Sequence, residues 1–204
     1  NCALFTPDEK YILAVDLGMD QIKVYGFDRS TGKIALKDIV RCEIDSGPKH
    51  IIFSKDKKYI YLTHENDNMV TEYAYSMGKK GPVFDKIDQQ STLPPKFSED
   101  NCAVTLKITE DDSYLFVTNS GDNSVAIYKI DEAHKMNRMC VLPVSGIYPR
   151  DIYIFPDKQH FASINQESNS ITIFGVNYEK GYIYMKGRPV SVPCPTCIAV
   201  KKMK

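Results

Sequence analysis

Two short stretches of this 204-residue chain combine side chains suited to proton transfer and anion binding: Lys49-His50 with Glu65, and Arg150-Asp151 with Asn165-Gln166. In both, sixteen residues separate the cation from the acid or amide that answers it, Lys49 to Glu65 and Arg150 to Gln166. A carboxylate such as Glu65 suits the base that activates water, and Lys49 and Arg150 suit the groups that hold the oxyanion formed when water attacks. Arginine, with its planar fork of donors, also matches a phosphate. The same residue types commonly do no more than bond neighbouring loops, so the elements that position them decide what they mean.

Those elements are copies of one pattern. PRDIYIFPDKQHFASINQESNSITIF, residues 149–174, reads as three short strands: Asp151–Phe155, Phe161–Ile164 and Ile171–Phe174, with a Pro-Asp-Lys turn after the first. With Asp157 as anchor, the pattern recurs at Asp8, Asp56 and Asp111, at intervals of 48, 55 and 46 residues. An aromatic follows each anchor by 17 residues: Tyr25, Tyr73, Tyr128 and Phe174. A strand unit repeating at this period predicts an all-β protein, a β-propeller of four-stranded antiparallel blades. Blade units fall at about 1–47, 48–100, 101–148 and 149–194, and residues 195–204 begin a fifth with Pro195–Val200 as its innermost strand. The insertion Ser91–Asp100, with two prolines, accounts for the longest interval. Four units and one extra strand close poorly into a ring, so the expectation is about four blades of a longer propeller.

In a propeller the innermost strands line a central channel and their first residues face its mouth, where pockets form. Seven residues before the anchors stand Asn1, Lys49, Val104 and Arg150, with Thr196 as the fifth. The next position holds Cys2, His50, Thr105, Asp151 and Cys197; nine after the anchors come Leu17, Glu65, Ser120 and Gln166. The polar groups therefore gather on the second and fourth blades. His64 falls on the opposite side of its strand from Glu65 and has no expected role, and His134 and His160 read as structural.

Composition narrows the class. Lys and Arg total 26, as do Asp and Glu, so no global field favours nucleic acid or an anionic membrane. No apolar run approaches the roughly 20 residues that span a bilayer. Six cysteines form no evident disulfide framework, and free thiols point to a reducing cytoplasm. Cys194-Pro195-Thr196-Cys197 is a CxxC lacking the helical setting of a redox motif and the second ligand pair of a zinc site, so Cys197 reads as the start of a strand.

The runs GPKHIIF…KYIYLTHEND, CAVTLKIT…SYLFVTNSGDNSVAIY and YPRDIYIFPDK…INQESNSITIF resemble the bacterial 6-phosphogluconolactonase-type propellers, a group that includes the fungal 3-carboxy-cis,cis-muconate lactonizing enzyme. The resemblance covers essentially the whole chain and extends to the order of the blades. It implies a seven-bladed propeller acting on sugar or carboxylic lactones without metal or other cofactor, its partner a small phosphosugar lactone. Its functional positions match at Glu65 and Arg150, the expected catalytic residues; together with the strand-entry reading, Asn1, Lys49, His50, Asp151, Asn165 and Gln166 are the expected substrate contacts. Three positions depart from the family: its functional histidine falls on Asn1, its first arginine on Lys49, and an arginine of the third blade on Ser120. A degenerate member that binds a phosphosugar or sugar acid without turnover, and a protein-binding scaffold, are the other two readings.

Overall fold

The computed structural model describes residues 2–201, all-β apart from one 3-10 turn at Leu17–Met19. The chain divides into two compact units, Asn1–Ser91 and Thr92–Lys204, each holding two antiparallel sheets. In the first unit, β1 (Ala3–Phe5), β2 (Tyr11–Asp16), β3 (Gln21–Asp28) and β4 (Lys33–Arg41) pair in sequence order, followed by β5 (Pro48–Phe53), β6 (Tyr59–His64), β7 (Met69–Gly78) and β8 (Gly81–Ser91). In the second, β9 (Cys102–Ile108), β10 (Tyr114–Ser120), β11 (Ser124–Ile130) and β12 (Met136–Pro143) form one blade. The other is β13 (Pro149–Ile154), β14 (His160–Asn165), β15 (Ser170–Asn177) and β16 (Tyr182–Met185), with β17 (Val190–Ser191) also on β15.

The anchor aspartates work as expected of a turn residue. Asp8, Asp56 and Asp111 each accept a hydroxyl two residues back, from Thr6, Ser54 and Thr109, at 2.7–2.8 Å. Each also accepts the amide two residues on, which leaves the residue between in the left-handed region: Glu9, Lys57 and Asp112. The fourth blade has Phe155 where the others have Ser or Thr, and the His160 ring replaces the hydroxyl by bonding Asp157 Oδ2 at 2.6 Å. That explains a histidine at a position that is tyrosine in the other three copies.

Alternating apolar residues give each unit its own core. Leu13, Ile22, Val24, Ile51, Ile60 and Leu62 are fully buried in the first. Phe116, Val125, Ile127, Ile152 and Phe161 fill the second, where Phe161 stacks on Phe174 at 4.7 Å and Tyr114 on Tyr178 at 3.9 Å. The recurring aromatic is therefore a core residue: Tyr73, Tyr128 and Phe174 are buried, Tyr25 half-buried.

A second recurrence ties each blade to the next stretch of chain. Twelve residues after the anchors stand Asp20, Asn68, Asn123 and Asn169, all with φ between 49° and 57°. The side-chain oxygens of Asp20, Asn123 and Asn169 accept the amides of Gly47, Tyr148 and Cys194, each at 2.8 Å. Asx residues tolerate the left-handed region, and here the backbone conformation aims the acceptor.

The stretch read from the sequence as a fifth innermost strand is not a strand in this chain. Residues 195–201 carry no regular structure, and the segment is held by side-chain acceptors, with Cys194 N on Asn169 and Ile198 N on Asp151 Oδ2 at 3.1 Å. The outer strand of the fourth blade is also broken, because Gly187 turns with φ 77° and Pro189 cannot donate to the ladder.

Candidate functional site

The candidate residues sit where the strands bulge. Pro48 pairs with His64 and His50 with Thr63, so Lys49 is the extra residue of a β-bulge. Pro149 pairs with Asn165 and Asp151 with Ile164, so Arg150 is the extra residue of another. The third blade repeats the irregularity around Val104-Thr105, opposite Thr118. A bulged residue leaves the ladder and has its side chain re-aimed, which is how two cations come to project from the starts of β5 and β13. Threonine hydroxyls prop two of these bulges, Thr63 Oγ1 accepting the His50 amide and Thr118 Oγ1 the Thr105 amide, both at 3.2 Å.

In the first unit the structure joins Lys49 and Glu65. Lys49 Nζ forms an ion pair with Glu65 Oε2, and both side chains remain about one-fifth exposed. Glu65 stands directly after β6, its amide bonded to Gly47 O at 2.7 Å. Gly47 turns with φ 63° and lies so close to the Asn66 side chain that a Cβ would collide with it. The pair therefore has a fixed floor, and Glu65 Oε1 has no partner among the described residues. His50 is half-buried beside it, bound through its backbone to Thr63.

His64, one residue before Glu65, points into the blade. It is 1% exposed, with Nε2 at 2.9 Å from Thr71 Oγ1, and burial together with the nearby Lys86 ammonium pushes its pKa down to about 4. Its counterparts eight residues after the other anchors are equally committed. Asn119 bonds Ser124 and Thr92 O, Asn165 bonds Ser163, Ser170 and Thr172, and Asp16 pairs with Lys23 at 2.7 Å. Asn165 thus lies fully buried in its blade, where the sequence placed it at the mouth; its amide and carbonyl are both taken up internally.

In the second unit Arg150 is half-buried and its guanidinium makes no hydrogen bond or ion pair among the described residues. The position that holds Glu65 in the second blade holds neutral Gln166 here, so no carboxylate on its own blade neutralises it. Asp151 is engaged differently: Oδ1 accepts the Ile152 amide at 2.8 Å and faces Lys107 Nζ at 3.6 Å, while Oδ2 accepts the Ile198 amide. Ser120, 5% exposed, donates its hydroxyl to Pro149 O at 3.1 Å. Gln166 is half-buried, its amide on Tyr148 O. Asn1 lies outside the described residues.

Sequence reasoning missed the bulges and the Ser120 contact. The bulges leave no residue signature of their own, because Lys49, Val104 and Arg150 share nothing but position. Among the described residues no three His, Cys, Asp or Glu side chains gather as a metal site, and no helix is long and apolar enough to cross a membrane.

Residues 2–200 match the family model described as lactonase, 7-bladed beta-propeller. A 6-phosphogluconolactonase of Bacillus subtilis is 28% identical over 204 residues, covering 95% of this chain and 55% of the relative. An uncharacterized protein of Staphylococcus saprophyticus is 30% identical over 195 residues, with the same coverage. Among solved structures, the periplasmic gluconolactonase of Pseudomonas aeruginosa superposes with a TM-score of 0.87 at 26% identity, over 95% of this chain and 54% of that one. A putative 6-phosphogluconolactonase of Bacteroides fragilis gives 0.83 at 26% identity, over 97% and 56%. The chain spans about half the length of the curated relatives it matches.

Proposed function

From the premise that this chain belongs to the seven-bladed β-propeller lactonase family, we propose that the protein hydrolyses a phosphorylated sugar lactone, 6-phospho-glucono-1,5-lactone, to 6-phosphogluconate. This is a step of the pentose phosphate pathway, and the free thiols favour the cytoplasm as its compartment. The observation that carries the reading is the contrast between the two bulged cations: Lys49 is paired with Glu65, while Arg150 has no partner among the described residues. Glu65 is assigned as the base that takes a proton from water, with Lys49 holding its carboxylate in place. Arg150 is assigned as the donor that holds the substrate's negative charge, and His50 and Gln166 as flanking contacts.

The test is lactone hydrolysis above the spontaneous rate by the full-length protein. Glu65→Gln should lower kcat by about 10²–10⁴-fold with 6-phosphogluconate still bound. Arg150→Ala should weaken 6-phosphogluconate binding by about tenfold to a hundredfold. Undiminished hydrolysis in Glu65→Gln would overturn the assignment. A second reading, binding without turnover, draws on Ser120, which offers a hydroxyl where the family resemblance places a cation. It requires saturable 6-phosphogluconate binding with no hydrolysis in the unsubstituted protein.

A further inference from the structure

The fourth blade treats its bulge differently from the second. In the second blade, Thr63 props the bulge from within the same sheet. In the fourth, the position of Thr63 is Ile164, which pairs with Asp151 and has no hydroxyl, so the internal prop is gone. Contacts from outside the blade replace it on both sides of Arg150. Ser120, from β10, donates to the carbonyl of Pro149, immediately before Arg150. Asp151, immediately after it, is held by Lys107 of β9 and by the amide of Ile198. The guanidinium between these two fixed points makes no hydrogen bond or ion pair among the described residues.

We infer that Ser120 and Asp151 are positioning residues that set the bulge from which Arg150 projects, and so set the affinity of the site for an anionic substrate group; this rests on the reading of Arg150 as the anion holder. A peptide unit tied at Pro149 O and a carboxylate tied at two points leave the backbone around residue 150 little freedom to rotate. The arrangement belongs to this site in particular: the residue of the first blade equivalent to Ser120 is Leu17, which has no hydroxyl to offer Pro48. Asp151 accordingly acts on the substrate through its neighbour, since its oxygens are engaged with Ile152, Ile198 and Lys107.

A double-mutant cycle on the full-length protein separates this role from a merely structural one, with 6-phosphogluconate affinity as the readout. Ser120→Ala should weaken binding by about threefold to tenfold, the worth of one hydrogen bond, and raise KM with kcat within about twofold. In an Arg150→Ala background the same substitution should change affinity by less than about twofold, because the group it positions is absent. Asp151→Ala should behave likewise, with Asp151→Asn, which keeps an acceptor for Ile198, intermediate; thermal unfolding confirms that each variant folds. Equal losses from Ser120→Ala with and without Arg150 would overturn the inference, as would normal binding by Ser120→Ala where Arg150→Ala abolishes it. Normal binding by Arg150→Ala itself would instead overturn the anion-holder role, and this inference with it.

Discussion

Lys49 and Arg150 occupy one position in two copies of the repeat, yet they end in different chemical situations, one neutralised by Glu65 and one on a blade that carries neutral Gln166 at that position. The difference was legible in the sequence, because the sixteen-residue spacing pairs each cation with its answering residue. Illegible were the bulges that aim the cations and the commitment of Asn165 to its own blade, since both depend on which strands face each other. Arg150→Lys should keep the charge and lose the planar fork, weakening 6-phosphogluconate binding by about tenfold by titration calorimetry. His64 supports a pH prediction. Burial holds its folded pKa at about 4, below the ordinary 6.5, so the unfolded chain takes up the proton first as pH falls. Its contribution to stability is complete above about pH 6.5 and is lost as pH falls toward 4, on the order of 3 kcal/mol. His64→Asn, the residue used at Asn119 and Asn165, should flatten that loss in urea unfolding measured across this range.

At the scale of elements, strand existence was readable from alternation and from the anchor turn, and the four copies of the repeat correspond to four antiparallel sheets. Pro195–Val200 has the apolar pattern of an innermost strand, yet residues 195–201 carry no regular structure here and are tied by the side chains of Asn169 and Asp151. Pattern reports which face a residue would prefer and does not supply the neighbouring strand. The left-handed Asx residues recur at one spacing, Asp20, Asn68, Asn123 and Asn169, but spacing alone gives neither their backbone conformation nor the amides they accept. Asn123→Ala removes the acceptor for Tyr148 N and forces φ 53° on a residue that resists it, and should destabilise by about 2–3 kcal/mol by chemical denaturation. Asn123→Gly, free of the dihedral penalty, should lose about half as much.

At the largest scale, stability rests on the apolar cores of the two units. Phe161, fully buried and stacked on Phe174, should cost about 3–5 kcal/mol when truncated to Ala, visible as lost amide protection through β10, β11, β14 and β15. The repeat made the fold class readable because each blade must satisfy the same local chemistry. The site was only half readable because its residues are the places where blades depart from one another.

The Asx acceptors have a practical consequence for anyone wishing to carry foreign sequence on this scaffold. Each clamp joins a hairpin tip to an amide 25–27 residues downstream, so only the outer two strands and their connection lie inside the closed loop. Loop closure penalises length logarithmically, about 0.6 kcal/mol per doubling, so a guest peptide at Arg29–Gly32 or Glu179–Gly181 leaves both ends of the clamp untouched. Those outer turns are the natural grafting points, remote in sequence from Lys49, Glu65 and Arg150.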